Sequence, residues 1–328
     1  MNLFFVSSLI KNKLREIRLL LKYYHFHTAY PFPAIIFMVD GRCAHGGLVD
    51  RFKGIVTLYA LSKVYNVPYY INYISPFNLN EVLCPNKYDW RITNEILDYS
   101  LFRSRVLVAY SEFKNPYRVL RIDLKKQNHV YYGYNSLKLI NEVFNTNFEW
   151  GELFEELFLP SEELRNYIDD FKKSIAGKYI ALHFRFVHLL GDDFKDVAYN
   201  ISYNKIEKEN LIRRCREEIQ FLLSKEPNGM KALITSDSNI FIEVVKNDPN
   251  VCVISGNIIH IDNQPVDDNL TKLKPFIDFY LLSEAQKIYS VRNKDMYPSG
   301  FPEYAAKIRN IPFTRIIIKY LKICIIIF

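Results

Sequence analysis

The stretch from Ala34 to Ile74 constrains the fold more than any other part of the chain. "AIIFMV" (34–39) has the length and apolar composition of a buried strand. "DGRCAHGG" follows as a loop, and "LVDRFKGIVTLYALSKVY" (48–65) repeats Phe52, Ile55, Val56, Tyr59 and Val64 near a helical period. "VPYYINYI" (67–74) reads as a second strand. Strand, glycine-rich loop, helix, strand is the grammar of an open parallel sheet, because a parallel partner needs a long crossover and a helix supplies it.

The second half repeats the grammar. "PSEELRNYIDDFKKS" (160–174) offers Ser161 as an N-cap and an apolar face of Leu164, Tyr167, Ile168 and Phe171. The strands "YIALHFRF", "KALITSD", "VCVIS" and "KIYSV" then alternate with helices near 206–224, 239–247 and 275–286 and after Ser299. Residues 80–150, rich in Asn, Tyr and Phe, show only scattered helices. The expected fold class is α/β: two Rossmann-type, doubly wound domains facing a cleft. The expected organisation is a basic amphipathic segment (1–33), an N-terminal domain (34–160), a C-terminal domain (161–312) and an apolar, basic tail (313–328).

Composition narrows the partners. Hydrophobic residues make up 49% of the 328, enough for packed cores. The net charge of +7 suits an anionic partner such as a nucleotide sugar or an acidic membrane surface, and nucleic-acid-binding signatures are absent. The five cysteines are scattered without a C-x-x-C pair, which argues against a zinc cage or disulfide framework and for a cytoplasmic location. No apolar run reaches the ~20 residues that span a bilayer. Residues 11–24 place Leu14, Ile17, Leu20, Leu21 and Tyr24 on one helical stripe among basic residues, and "TRIIIKYLKICIIIF" ends the chain on a similar mixture. Each reads either as an anchor on an anionic membrane or as a helix packed on the protein's own core.

The chemistry-bearing residues cluster at the predicted strand ends. In "ALHFRF", His183 and Arg185 lie two apart and project together, opposite Leu182, Phe184 and Phe186. A diphosphate clamp is the preferred reading of Arg185; its alternatives are pairing with a nearby Asp and a metal site with His188. Gly46 and Gly47 in "HGGLVDR" allow either a close backbone approach to a ligand or a plain strand-to-helix turn. In "ITSDS", either Ser236 or Asp237 caps the next helix, or Asp237 accepts hydrogen bonds from a nucleotide base or ribose. Ser299 and Gly300 open a helix whose free N–H groups suit phosphate.

Taken in order, "GGLVDRFKGIVTLYALSK", "KYIALHFRF", "ITSDS" and "SGFPEYAA" resemble motifs of the GDP-fucose-dependent fucosyltransferase superfamily, over roughly residues 34–312. That resemblance implies a GT-B fold with an acceptor-side N-terminal domain, a GDP-fucose donor bound mainly by the C-terminal domain, and inverting transfer to a glycan or lipid-linked saccharide hydroxyl without a metal or other cofactor. It implies that Arg185 contacts the β-phosphate and His183 shapes the donor site. Asp237, with Ser238 beside it, would touch the guanosine. Ser299, Gly300 and Phe301 would line the phosphate, and Gly46 to Arg51 would face the same cleft. The chain departs from the family pattern at Val49–Asp50 and after Arg185, so the general base stays open among Asp193, Asp192 and Asp50. The rival readings are a GT-B transferase using another nucleotide sugar and an inactive glycan- or membrane-binding relative.

Overall fold

Six consecutive buried apolar residues, Ala34–Val39, form β1, as their composition predicts. The computed structural model describes residues 14, 17–25, 32–43, 45–109, 116–175, 177–192, 201–254, 256 and 268–318. These residues make two compact units, one up to Ser161 and one from Glu162 onward.

In the first unit, α1 (Leu48–Tyr65) crosses from β1 to β2 (Tyr69–Tyr73), and the two strands pair in parallel. Between Leu48 and Ser62 this helix exposes little beyond Asp50 and Lys53. It is therefore a buried helix and not the one-sided surface helix that its period implies. Gly54 is required by that burial, since a Cβ there would lie 2.2 Å from the Tyr132 carbonyl oxygen.

Two further parallel strands, β4 (Ser104–Val108) and β5 (Gln127–Tyr131), complete a four-stranded sheet in the order β2-β1-β5-β4. Both fall in the region read from sequence as scattered helices. The short β3 (Leu83–Pro85) pairs with β6 (Phe158–Pro160) as an antiparallel ribbon. Two helices, α2 (Leu137–Phe144) and α3 (Trp150–Leu157), pack against α1.

The second unit opens with α4 (Glu162–Ile175) and is built on five parallel strands in the order β11-β10-β7-β8-β9. The strands are β7 (Tyr179–Phe184), β8 (Lys231–Ser236), β9 (Val251–Val253), β10 (Ile288–Arg292) and β11 (Phe313–Ile317). On one face Leu182, Phe184 and Phe186 pack with α5 (Lys205–Leu223) and α6 (Asn239–Val245). The remaining helices, α7 (Asn269–Leu282) and α8 (Phe301–Ile308), pack on each other, and α8 packs on β10.

Two terminal expectations change. Phe313–Ile317, assigned by sequence to a tail with a helix as its packed alternative, is an edge strand paired in parallel with β10. Only 319–328 of that tail lie outside the described residues. Near the other end, residues 17–23 are helical. Tyr23 is fully buried, whereas Leu14, Ile17 and Leu21 are about half exposed or more. No helix among the described residues is long and apolar enough to cross a membrane.

Candidate functional site

The carboxyl ends of β7 and β8 gather most of the polar residues singled out by sequence. His183, the penultimate residue of β7, stands opposite Thr235 of β8. Its Nδ1 hydrogen-bonds Thr235 Oγ1 at 2.9 Å, and its ring stacks on Phe301 with centroids 5.5 Å apart. Burial, helped by the charge of Arg185, lowers the His183 pKa to about 3, so the imidazole is neutral at physiological pH. Its Nε2 is buried and has no hydrogen-bond partner among the described residues.

Arg185 is the first residue past the strand. Its side chain is 24% exposed, and Nε lies 3.9 Å from Asp237 Oδ2. That is an ion-pair contact but too long for a hydrogen bond, and Nε makes none among the described residues. The guanidinium carbon sits 4.9 Å from the centroid of the Tyr297 ring, while Tyr297 N–H donates to the Arg185 carbonyl at 3.2 Å. The backbone is thus held while the guanidinium keeps unused donors.

Asp237 explains how the backbone is held. Its two carboxylate oxygens accept from Phe186 N–H at 2.7 Å and Val187 N–H at 3.0 Å. Val187 has φ of +56°, a conformation that strains a β-branched residue by about 1–3 kcal/mol. A carboxylate gripping two successive amides is what maintains such a turn. Burial raises the Asp237 pKa, and Arg185 with the two amides opposes the shift.

The cap of α6 is Ser238, not Ser236 or Asp237. Its Oγ accepts from Phe241 N–H at 3.1 Å and donates to Asp192 Oδ2. Asp192 Oδ1 also accepts from Ile240 N–H at 3.3 Å. Asp192 is therefore engaged at the start of α6, and Asp193 lies outside the described residues.

At the start of α8, Ser299 is buried and its Oγ accepts from Phe301 N–H at 3.2 Å, with Gly300 between them. Phe301 meets Phe279 edge-on at 5.3 Å as well as stacking on His183. The structure thus brings His183, Arg185, Asp237 and Ser299–Phe301 into one neighbourhood. Sequence reasoning missed Thr235, Phe279 and Tyr297. Thr235 lies directly across the sheet from His183, which the parallel register alone would have shown.

In the N-terminal unit, Gly46 and Gly47 lead into α1. Arg51 is fully buried; its Nε donates to the Gly46 carbonyl at 3.1 Å, and its Nη1 donates to the Tyr73 hydroxyl. Asp50 is 47% exposed and pairs with Lys53 at 2.8 Å. Asp40, just past β1, went unremarked in the sequence; its carboxylate accepts from the Tyr131 hydroxyl at 3.0 Å. Among the described residues no group of three His, Cys, Asp or Glu is placed to hold a metal ion.

No family model matches the sequence, and no curated protein matches it. Solved structures do. A mutant of Arabidopsis thaliana FUT1 in complex with GDP superposes with a TM-score of 0.56 over 92% of this chain and 74% of its own, at 10% identity. NodZ α-1,6-fucosyltransferase soaked with GDP-fucose gives 0.52 over 85% and 93%, at 12% identity. Fucosyltransferase NodZ from Bradyrhizobium, as the selenomethionine protein, gives 0.53 over 84% and 92%, also at 12%. These likenesses show the fold: α/β, of the GT-B type.

Proposed function

We propose that this chain is an inverting glycosyltransferase of the GDP-fucose-dependent superfamily, moving fucose from GDP-fucose to a hydroxyl of a glycan or lipid-linked saccharide. One observation carries the reading. A neutral His183 and an Arg185 whose Nε faces Asp237 at 3.9 Å but makes no hydrogen bond among the described residues stand together at the carboxyl end of a central parallel strand, where open α/β sheets bind ligands. Support comes from the fold, shared with fucosyltransferases solved with GDP or GDP-fucose.

In this reading the bond between fucose C1 and the β-phosphate oxygen breaks, and its electron pair leaves with GDP. The acceptor oxygen bonds C1 from the opposite face and passes its proton to a carboxylate. Arg185 meets the charge developing on the diphosphate, beside Ser299 and Gly300 at the start of α8, where Ser299 Oγ already takes the Phe301 N–H and Pro302 has none to give. When Thr235 donates to Nδ1, the other nitrogen of His183 carries the proton and donates to the sugar nucleotide. Asp237, expected from the resemblance to touch guanosine, instead acts by holding the Phe186–Val187 turn. With Asp192 engaged at α6, the base falls to Asp193 or Asp50. The reaction as proposed needs no metal.

The same reading places the protein in the cytoplasm, peripheral on an anionic membrane face. Leu14, Ile17 and Leu21 support it: they lie exposed at helical spacing beside the exposed Arg18 and Lys22.

A thermal-shift screen with GDP, UDP, CMP and their sugars, followed by donor hydrolysis in EDTA, tests the function. GDP and GDP-fucose should raise Tm, and GDP-fucose should be hydrolysed in chelator. A shift with UDP or CMP alone would assign another donor, and binding without hydrolysis or transfer would mark an inactive relative.

A further inference from the structure

The amino edge of the N-terminal unit's sheet differs from the carboxyl edges described above. The chain enters β4 through Leu101 and Phe102, and it enters β5 through Leu124, Lys125 and Lys126. The two strands are parallel neighbours, paired from Ser104 opposite Gln127 onward, so their entries lie side by side. Gln127 N–H donates to the Arg103 carbonyl at 3.0 Å, and Lys126 Nζ lies 3.5 Å from the Leu101 carbonyl oxygen.

Large apolar side chains stand in solvent here. Phe102 is 83% exposed and Leu101 57%, with Leu124 about half exposed. Single exposed hydrophobics need no explanation, but three on two adjacent strand entries make a patch, and a patch marks an interaction surface.

The charge around the patch is one-sided. Segments 101–105 and 121–126 carry five basic residues and one acid, Asp123. Arg103 is paired with the buried Asp98 at 2.6 Å, and Arg105 donates to the Arg121 carbonyl at 2.6 Å. Asp123 Oδ1 is taken by the Lys125 backbone N–H at 3.0 Å. Among the described residues Arg105, Arg121, Lys125 and Lys126 make no ion pair.

The helix at 17–23 runs into the same corner of the unit. His25 N–H donates to the Tyr99 carbonyl at 3.2 Å, two residues before Leu101, and the two rings stack 4.7 Å apart. That helix exposes Ile17 and Leu21 beside Arg18 and Lys22.

An apolar tip ringed by uncompensated cations matches a surface that is negative outside and hydrocarbon beneath. A second copy of the chain matches poorly, because a twofold contact through this patch would set its cations against themselves. We propose that Leu101 and Phe102 insert into the headgroup layer of an anionic bilayer, with Arg121, Lys125 and Lys126 on lipid phosphates. The proposal rests on the peripheral-membrane reading above and not on the transferase reading. It adds a second anchor and sets which edge of the unit meets lipid. The carboxyl edge, five residues along β4, then stands about 16 Å farther from the bilayer.

Cosedimentation of the full chain with vesicles tests it, using phosphatidylcholine alone and an equimolar mixture with phosphatidylglycerol. The mixed vesicles should bind about tenfold more tightly or better, and high salt should release the protein. Leu101→Ser with Phe102→Ser should weaken that binding by about tenfold or more. Arg121→Gln with Lys125→Gln should weaken it by about 30-fold, the effect of two basic residues at a lipid surface. All four side chains are exposed, so Tm and GDP affinity should hold in both variants. Ile17→Ser with Leu21→Ser reports on the helix alone. If wild-type protein ignores the mixed vesicles, or binds phosphatidylcholine equally well, the membrane reading and this proposal fall together. If wild type binds the mixture and both patch variants bind like it, while the helix variant is released, this proposal alone is overturned. A dimer in solution that Leu101→Ser with Phe102→Ser abolishes would also overturn it, by assigning the patch to a second copy.

Discussion

Two arginines stand near the carboxyl ends of parallel strands, one in each unit, and their surroundings differ. Arg51 is fully buried and donates to the Gly46 carbonyl and the Tyr73 hydroxyl. Arg185 is 24% exposed, and its buried Nε faces Asp237 at 3.9 Å with no hydrogen-bond partner among the described residues. Both follow a strand, and both belong to motifs that resemble one enzyme family. The difference teaches that motif membership does not assign a role. A buried charge with its donors occupied is holding the protein together, whereas one with donors unused is placed for something else to accept them.

The largest effect on folding should come from Arg51→Met. It leaves the Tyr73 hydroxyl and the Gly46 carbonyl without their donor, and by the cost of stranding buried polar groups it should lower unfolding free energy by about 2–4 kcal/mol. Chemical denaturation measures this, and the folded fraction should bind GDP normally. A variant as stable as wild type that has lost GDP binding would reverse the roles given to the two arginines.

Asp237→Asn should come next. The two N–H groups are taken by different oxygens of Asp237, and an amide in the same place turns its NH2 donor onto one of them, so the strained turn loosens, costing about 1–3 kcal/mol. GDP affinity should fall with it, because the turn sets the backbone beside Arg185. If Asp237 contacts guanosine instead, affinity will fall while stability stays unchanged.

The first two predictions rest on side-chain environments that the sequence shows poorly. Legible were the strands made of apolar runs, such as "AIIFMV" and "YIALHF", and the clustering of His183 and Arg185 at a strand end. β5 was not, because "QNHVY" places Gln127, Asn128 and His129 in a fully buried strand. Those polar groups are satisfied from distant residues: Gln127 bonds the Asp98 N–H and the Ile96 carbonyl, and His129 bonds Tyr23. No local pattern announces partners that arrive from elsewhere in the chain. The start of α7 was missed for a related reason. Pro275 reads as a helix start, but Asp268 caps the helix through Thr271 N–H at 2.8 Å, and the proline falls inside it. At the site, the sequence identified Asp192 and Asp237 as acids near a strand end. It could not show that one serves α6 and the other a left-handed valine.

The smallest effect concerns pH. His183 has its pKa lowered from 6.5 to about 3 by burial and Arg185. The unfolded chain therefore binds the extra proton first, and stability is full above about 6.5 and declines as pH falls toward 3. For this one group the slope is up to about 1.4 kcal/mol per pH unit. His45 and His129 are likewise lowered to about 3 and add to the decline. His183→Gln should make the acid limb of a Tm-against-pH curve shallower without abolishing it. An unchanged limb would mean that the imidazole is solvated, and the burial assigned to His183 would be wrong.

The most direct measurement is calorimetric GDP binding and GDP-fucose turnover for Arg185→Lys beside wild type. Lysine keeps the charge but loses the planar fork that pairs with phosphate oxygens. The side chain makes no hydrogen bond among the described residues to lose, so Tm should hold. Turnover should fall by about 100-fold or more, roughly 2.7 kcal/mol of transition-state stabilisation, with weaker GDP binding. A folded Arg185→Lys protein that binds GDP and turns over the donor like wild type would contradict the account.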